Sequence, residues 1–227
     1  MNRPRLLVAA AQGLWLRATV KPAPPATGLD HGTAAAGSPE QPGPALRVTV
    51  LGDSTAAGCG VATHDDGYPG WLARGLADRT GRAVEWRAVG QFGATASRVR
   101  HRLLPQVGDG LDAVVLLAGA NDVLSRRPPA AWREDLTAIL DGLADRTRQV
   151  VVVGIPPFRH FPTIPATLGR YLTESSAALD AVSREVCKPR PGVHWITIED
   201  TPGPDFFSPD RFHPSGAGYR VWAAAAV

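Results

Sequence analysis

The chain has 227 residues, 44% of them hydrophobic and 20% charged, with a formal net charge of only +3. These are values of an ordinary globular protein. The arginines are scattered among acidic residues and no basic run is interleaved with aromatics, which argues against a nucleic-acid partner.

The first 45 residues differ from the rest. Arg3 and Arg5 precede an apolar stretch from Leu6 to Leu16, as in an export signal. Gln12 and Gly13 interrupt that stretch, which falls short of the roughly 18 apolar residues a stable membrane span needs. Leu7, Ala11, Leu14 and Ala18 recur at helical spacing. The expected reading is a short amphipathic helix lying on the domain, with a cytoplasmic location preferred over export. Residues 22–45 carry Pro22, Pro24, Pro25, Pro39, Pro42 and Pro44 among small residues, which predicts an irregular, extended arm. The catalytic or binding domain is therefore expected over residues 46–227, with residues 1–45 as helix and arm.

From residue 46 onward, strand and helix signals alternate. The β-branched run 47–51 predicts a strand. Residues 68–79, with Trp71, Leu72 and Leu76 on one side, predict a helix, and 83–89 a second strand. Residues 95–107 read as helical until Pro105 disturbs them. Residues 113–118 and 150–155 are almost wholly apolar, as strands covered on both faces would be. Between them, 129–146 opens on a proline and then spaces Leu136, Ile139, Leu140 and Leu143 helically. A helix over 168–187, a fifth strand over 193–198 and a closing helix over 215–226 complete the pattern. Five strands separated by helices predict a doubly wound, five-stranded parallel sheet in a three-layer α/β/α sandwich.

Ligands in such folds bind beyond the carboxyl ends of the strands. Ser54, Gly93 and Asn121 each follow a strand, so topology should bring them to one rim. The Ser54 hydroxyl suits a nucleophile once a base takes its proton, although a serine there also suits a helix N-cap. Asp210 and His213 lie three residues apart and supply a carboxylate and an imidazole. The imidazole can accept the serine proton while the carboxylate holds its tautomer. The competing reading is a surface turn with an incidental histidine. The Gly93 N–H, the Asn121 amide and the Ser54 N–H would together cradle an oxyanion. A left-handed turn at Gly93 and a cap at Asn121-Asp122 are the alternatives. Asp53 is expected to bond nearby backbone.

The remaining polar residues read more plainly. His64, Asp65 and Asp66 are adjacent, so they point different ways and predict no metal site. His31, His101, His160 and His194 read as surface or satisfied residues. Cys59 and Cys187 form neither a CxxC pair nor a zinc spacing and read as small buried residues. Phe158, Phe161, Ile164 and Leu168, after Pro156-Pro157, suit either an apolar wall of the cleft or ordinary core.

The same blocks resemble the SGNH hydrolases, also called GDSL esterases and lipases. Gly52-Asp53-Ser54 resembles the first block, Gly93 the second, Gly119-Ala120-Asn121-Asp122 the third and Asp210-Arg211-Phe212-His213 the fifth. One departure is Val89-Gly90-Gln91-Phe92, where the family often has an asparagine before the glycine. The resemblance covers about residues 46–226. It implies a flavodoxin-like sandwich and a serine esterase acting on small acyl esters through an acyl-enzyme. Ser54, His213 and Asp210 would be the triad; Ser54, Gly93 and Asn121 the oxyanion hole; no cofactor or metal would be needed. An acyltransferase that hands the acyl group to a sugar or other alcohol is the alternative, and a non-catalytic binding module a further one. Acyl chain length, alcohol and oligomeric state stay open.

Overall fold

The computed structural model describes residues 3–35, 43–197, 203 and 205–227. Its centre is a sheet with four inner strands. These are β2 (Leu46–Gly52), β3 (Val84–Gly90), β4 (Leu111–Leu117) and β5 (Thr147–Val153). One margin carries β1 (His31–Ala34) and the other β6 (Val193–Ile196). The strand order is β1-β3-β2-β4-β5-β6. All neighbours are parallel except β1, which runs antiparallel to β3.

The sheet thus has six strands, mostly parallel, where five parallel strands were expected. The additional strand lies in the segment expected to be irregular. His31-Gly32-Thr33-Ala34 has no apolar alternation to announce it. The strand forms because β3 offers a free margin and the Trp86 indole lies against Gly32. The expected strand end at position 198, and Pro39 and Pro42, lie outside the described residues.

The helices cover both faces. Tyr68 and Leu72 of α2 (Tyr68–Thr80), with Tyr219 and Trp222 of α7 (Gly216–Ala224), bury Val48, Val50, Val115 and Leu117. On the other face, α5 (Pro129–Leu143) and α6 (Ala166–Cys187) cover Leu51, Val114, Leu116 and Val152. The segment expected as one helix up to Pro105 is one turn of α3 (Ala96–Arg98), a π-helical turn (Val99–Leu103) and a 3-10 turn (Leu104–Gln106).

Helix α1 (Arg3–Thr19) lies against α6, but not on the expected stripe. Leu7, Ala11, Leu14 and Ala18 are exposed, and Ala9 and Leu16 are buried instead. The rotation has a polar cause. Gln12 Oε1 accepts the Leu168 N–H at 3.0 Å, one of the donors that the first turn of α6 cannot satisfy internally. Facing Gln12 toward α6 brings Ala9 and Leu16 with it. Among the described residues, no helix is long and apolar enough to cross a membrane.

The switch in strand order falls at β2, with β3 on one side and β4 on the other. The turns that follow these three strands are therefore neighbours at the carboxyl rim. The approach is close: a Cβ on Gly90 would lie 2.3 Å from Ala57 N in the turn after β2. Gly90→Ala is expected to cost about 2 kcal/mol, because backbone cannot yield as a side chain can. In a chain of this size that lowers Tm by about 4–8 °C, which calorimetry would show.

Asp180 of α6 accepts the Ile155 N–H at 3.0 Å, just beyond β5. Burial pushes its carboxyl up to about 6, against the opposing pull of that hydrogen bond. The folded chain then holds a proton that the unfolded chain releases near pH 4. Stability from this group is complete below that pH and is lost as pH rises through about 6. Asp180→Asn, which keeps an acceptor for Ile155, should flatten the fall in Tm between pH 4 and 6.5.

Candidate functional site

Ser54 opens the turn after β2, which closes through Ala57 N to Asp53 O at 3.0 Å and Cys59 N to Ser54 O at 2.9 Å. Its side chain does not cap. Ser54 Oγ lies 3.0 Å from His213 Nε2. Asp53 takes the local turn role, its Oδ1 accepting the Thr55 N–H at 2.9 Å and the Thr55 hydroxyl at 2.7 Å. Burial pushes the Asp53 carboxyl up.

His213 and Asp210 sit in the loop before α7, and their Nδ1–Oδ2 separation is 2.7 Å. The expected turn also forms: Arg211 N donates to Ser208 O at 2.8 Å. The turn is what aims the carboxylate. Asp210 Oδ1 accepts from Ser208 Oγ at 2.8 Å and from the Phe212 and His213 amides, each at 2.9 Å. Oδ2 accepts the Ala23 N–H at 2.8 Å in addition to the ring. Burial pushes this carboxyl up, but the donors from Ala23, His213 and Phe212 outweigh it and hold it well below the usual carboxylate range. An ionised carboxylate here requires the proton on His213 Nδ1. Nε2 is thereby left as the acceptor for the Ser54 hydroxyl. The imidazole is buried between Phe92 and Phe212, whose ring centroids lie 6.2 and 5.1 Å away.

The two turns flanking Ser54 are locked to each other. Asn121 stands in the first turn of α4 (Ala120–Leu124), a short helix beyond the elements expected from the sequence. Its Nδ2 donates one hydrogen to Ala94 O at 3.1 Å, leaving the second for the cleft. Next to it, the buried Asp122 accepts the Ala96 N–H at 2.9 Å. Arg127 Nε stands 3.1 Å from the other Asp122 oxygen, an ion pair out of hydrogen-bond alignment. Burial pushes Asp122 up to about 6, against the pull of Ala96 and Arg127. Arg127 also pairs with Asp135 of α5, which Arg100 approaches at 3.2 Å. This buried network fixes the turn carrying Gly93. Gly93 has φ of 72°, a left-handed value, and lies exposed on the cleft. Gln91 supports the turn through its backbone: Gln91 N donates to Gly52 O and Gln91 O accepts from Ala94 N, both at 3.1 Å.

Two apolar clefts meet at Ser54 and His213. One, of about 720 Å³, is walled by Phe158, Phe161, Phe206, Phe207 and Trp222. The other, of about 680 Å³, is walled by Gly93, Leu124 and Leu172 and by Leu14 and Leu16 of α1. The segment after Pro156-Pro157 serves both expected roles. Phe158, Ile164 and Leu168 are core, and Phe158 and Phe161 also line the first cleft.

The structure therefore brings together Ser54, His213, Asp210, Gly93 and Asn121. His64, Asp65 and Asp66 line neither cleft. Asp65 pairs with Arg74 at 2.9 Å and Asp66 accepts the Thr63 hydroxyl at 2.8 Å. Both thiols are buried, with Cys59 pushed up to about 12 and Cys187 to about 11 by burial. Sequence reading assigned no role to Ala23 or Ser208 and took Asp122 as part of a cap. A backbone amide, a serine in a turn and an aspartate in a five-residue helix carry no periodic signal.

Known proteins resemble this chain in sequence and in fold. The family model of GDSL-like lipases and acylhydrolases matches residues 50–221. A GDSL-like esterase of Mycobacterium tuberculosis is 30% identical over 187 residues, which cover 78% of this chain and 59% of that protein. The extracellular lipase of Streptomyces rimosus superposes with a TM-score of 0.61 at 19% identity, covering 79% of this chain and 97% of that one. A carbohydrate acetylesterase of Sinorhizobium meliloti gives 0.58 at 16% identity, covering 80% and 96%. These structures share the fold. With three quarters of its length matched in one continuous span, the chain belongs to the GDSL-like lipase/acylhydrolase family.

Proposed function

We propose that the protein is a serine esterase that hydrolyses small carboxylic esters through an acyl-enzyme on Ser54. The observation that carries this reading is the contact chain from Ser54 Oγ through the His213 ring to Asp210, at 3.0 and 2.7 Å. His213 Nε2 takes the hydroxyl proton as Oγ bonds the acyl carbon and the carbonyl electrons move onto oxygen. The Asp210 anion steadies the imidazolium. The oxyanion accepts hydrogen bonds from Ser54 N, Gly93 N and Asn121 Nδ2. Collapse expels the alcohol, which takes the proton from Nε2. Water then gives a proton to His213, attacks the acyl carbon and frees the acid, and the proton returns to Oγ. Family membership supports the reading, as does the esterase named in M. tuberculosis. Two apolar clefts meeting at the serine leave room for both halves of an ester.

A panel of p-nitrophenyl esters of rising chain length tests it. Short chains should be cleaved fastest. Ser54→Ala should lose about 10³-fold or more in kcat and show no burst. Asn121→Ala should lose about 10²-fold in kcat with little change in KM, because its donor acts on charge that develops only in the transition state. Undiminished turnover by Ser54→Ala would refute the nucleophile.

A further inference from the structure

Residues 22–25 read Pro-Ala-Pro-Pro, so Ala23 carries the only backbone N–H in that run. That N–H is donated to Asp210 Oδ2 at 2.8 Å, across 187 positions of sequence. Ala23 is half-buried while the prolines on both sides are exposed. Three residues on, Ala26 N donates to Ala57 O at 3.0 Å and Thr27 N to Ala62 O at 3.0 Å, both in the turn that begins at Ser54. Asp30 O accepts from Ala88 N at 2.7 Å and β1 then joins the sheet. Upstream, Gln12 fastens α1 to α6. The arm therefore touches the loop of Asp210 and His213 and the turn of Ser54 in succession. Pro24-Pro25 is the spacer between the two contacts. Two prolines hold an extended backbone of about 3.1 Å per residue, so the spacer resists both shortening and slack.

We propose that residues 22–27 are a positioning strap, in which the Ala23 amide orients Asp210 and the Pro24-Pro25 spacer fixes the Asp210–His213 loop at its distance from the Ser54 turn. The inference rests on the esterase reading. Ala23 touches no reacting atom; it acts through Asp210 on His213. The N–H withdraws electron density from the carboxylate, so its removal makes Asp210 a stronger acceptor and His213 more basic. Asp53 faces His213, and Cys59 and Tyr219 face Asp210. These groups are unchanged in every variant below, so a displacement between variants reports on Asp210.

The test uses the full chain and p-nitrophenyl acetate. Ala23→Pro deletes the N–H and continues the proline run, whereas Ala23→Gly keeps the N–H. Ala23→Pro should lower kcat about tenfold, with KM within about twofold. It should move the acid limb of the kcat/KM profile upward by about half a unit. Ala23→Gly should follow the wild type in that limb. The double variant Pro24→Gly/Pro25→Gly keeps the donor and loosens the spacer; it should lower kcat and leave the limb in place. Wild-type kcat and an unmoved limb in a folded Ala23→Pro would overturn the proposal. If Ala23→Pro does not fold, wild-type kcat in the double variant overturns it and a lowered kcat supports it. Ser54→Ala in the same assay separates the two readings. An active Ser54→Ala removes the esterase itself, whereas an inactive one beside a wild-type Ala23→Pro removes only the strap.

Discussion

One carboxylate ties the amino-terminal arm to the loop that carries the imidazole. Asp210 collects the Ser208 hydroxyl, the Phe212 and His213 amides, the Ala23 amide and the His213 ring. Each donor adds to the stability of the anion, and together they outweigh the cost of burying it. An anion held this firmly leaves His213 one available tautomer and one orientation. The loop before α7 has no regular structure of its own to provide that. Its geometry comes from polar satisfaction, and the His213 imidazole faces Ser54 because the carboxylate beneath it is immobile.

The other side of the site is built differently. Ser54, Gly93 and Asn121 take their places from sheet register, since β2, β3 and β4 are adjacent and end together. Fine adjustment comes from α4. Asn121 holds Ala94 by its amide and Asp122 holds Ala96 by its carboxylate. Burial and the neighbouring Asp135 raise Asp122, Arg127 supplies the opposing charge, and Arg127 and Arg100 together pair with Asp135. A charge network under an irregular turn is costly to assemble and rigid once complete. The turn that presents Gly93 has little freedom left.

Much of this was legible in the residues. Strands β4 and β5 announced themselves because runs buried on both faces are apolar throughout, and α5 because its apolar residues recur at helical spacing. Ser54, Asp210 and His213 were recognisable by chemistry and order, and Gly93 and Asn121 by their positions after strands. What was not legible shares a physical character. Strand β1 has no apolar alternation and exists because β3 had an unpaired margin. Helix α1 turned its expected stripe outward because Gln12 had to reach an orphan amide on α6. The Ala23 contact is made by a main-chain N–H, which every residue except proline possesses. Tertiary satisfaction of polar groups decided each case, and local periodicity is blind to it.

The same amino-terminal segment alters how the molecule meets its neighbours. The outer strands β1 and β6 are four residues each, shorter than an average strand of about 5–6. Without β1, the seven residues of β3 would form that border. A longer unpaired border is a template on which a second copy could extend the sheet from one molecule to the next. By occupying much of it with a short antiparallel strand, the arm that reaches Asp210 also covers a border open to pairing between molecules.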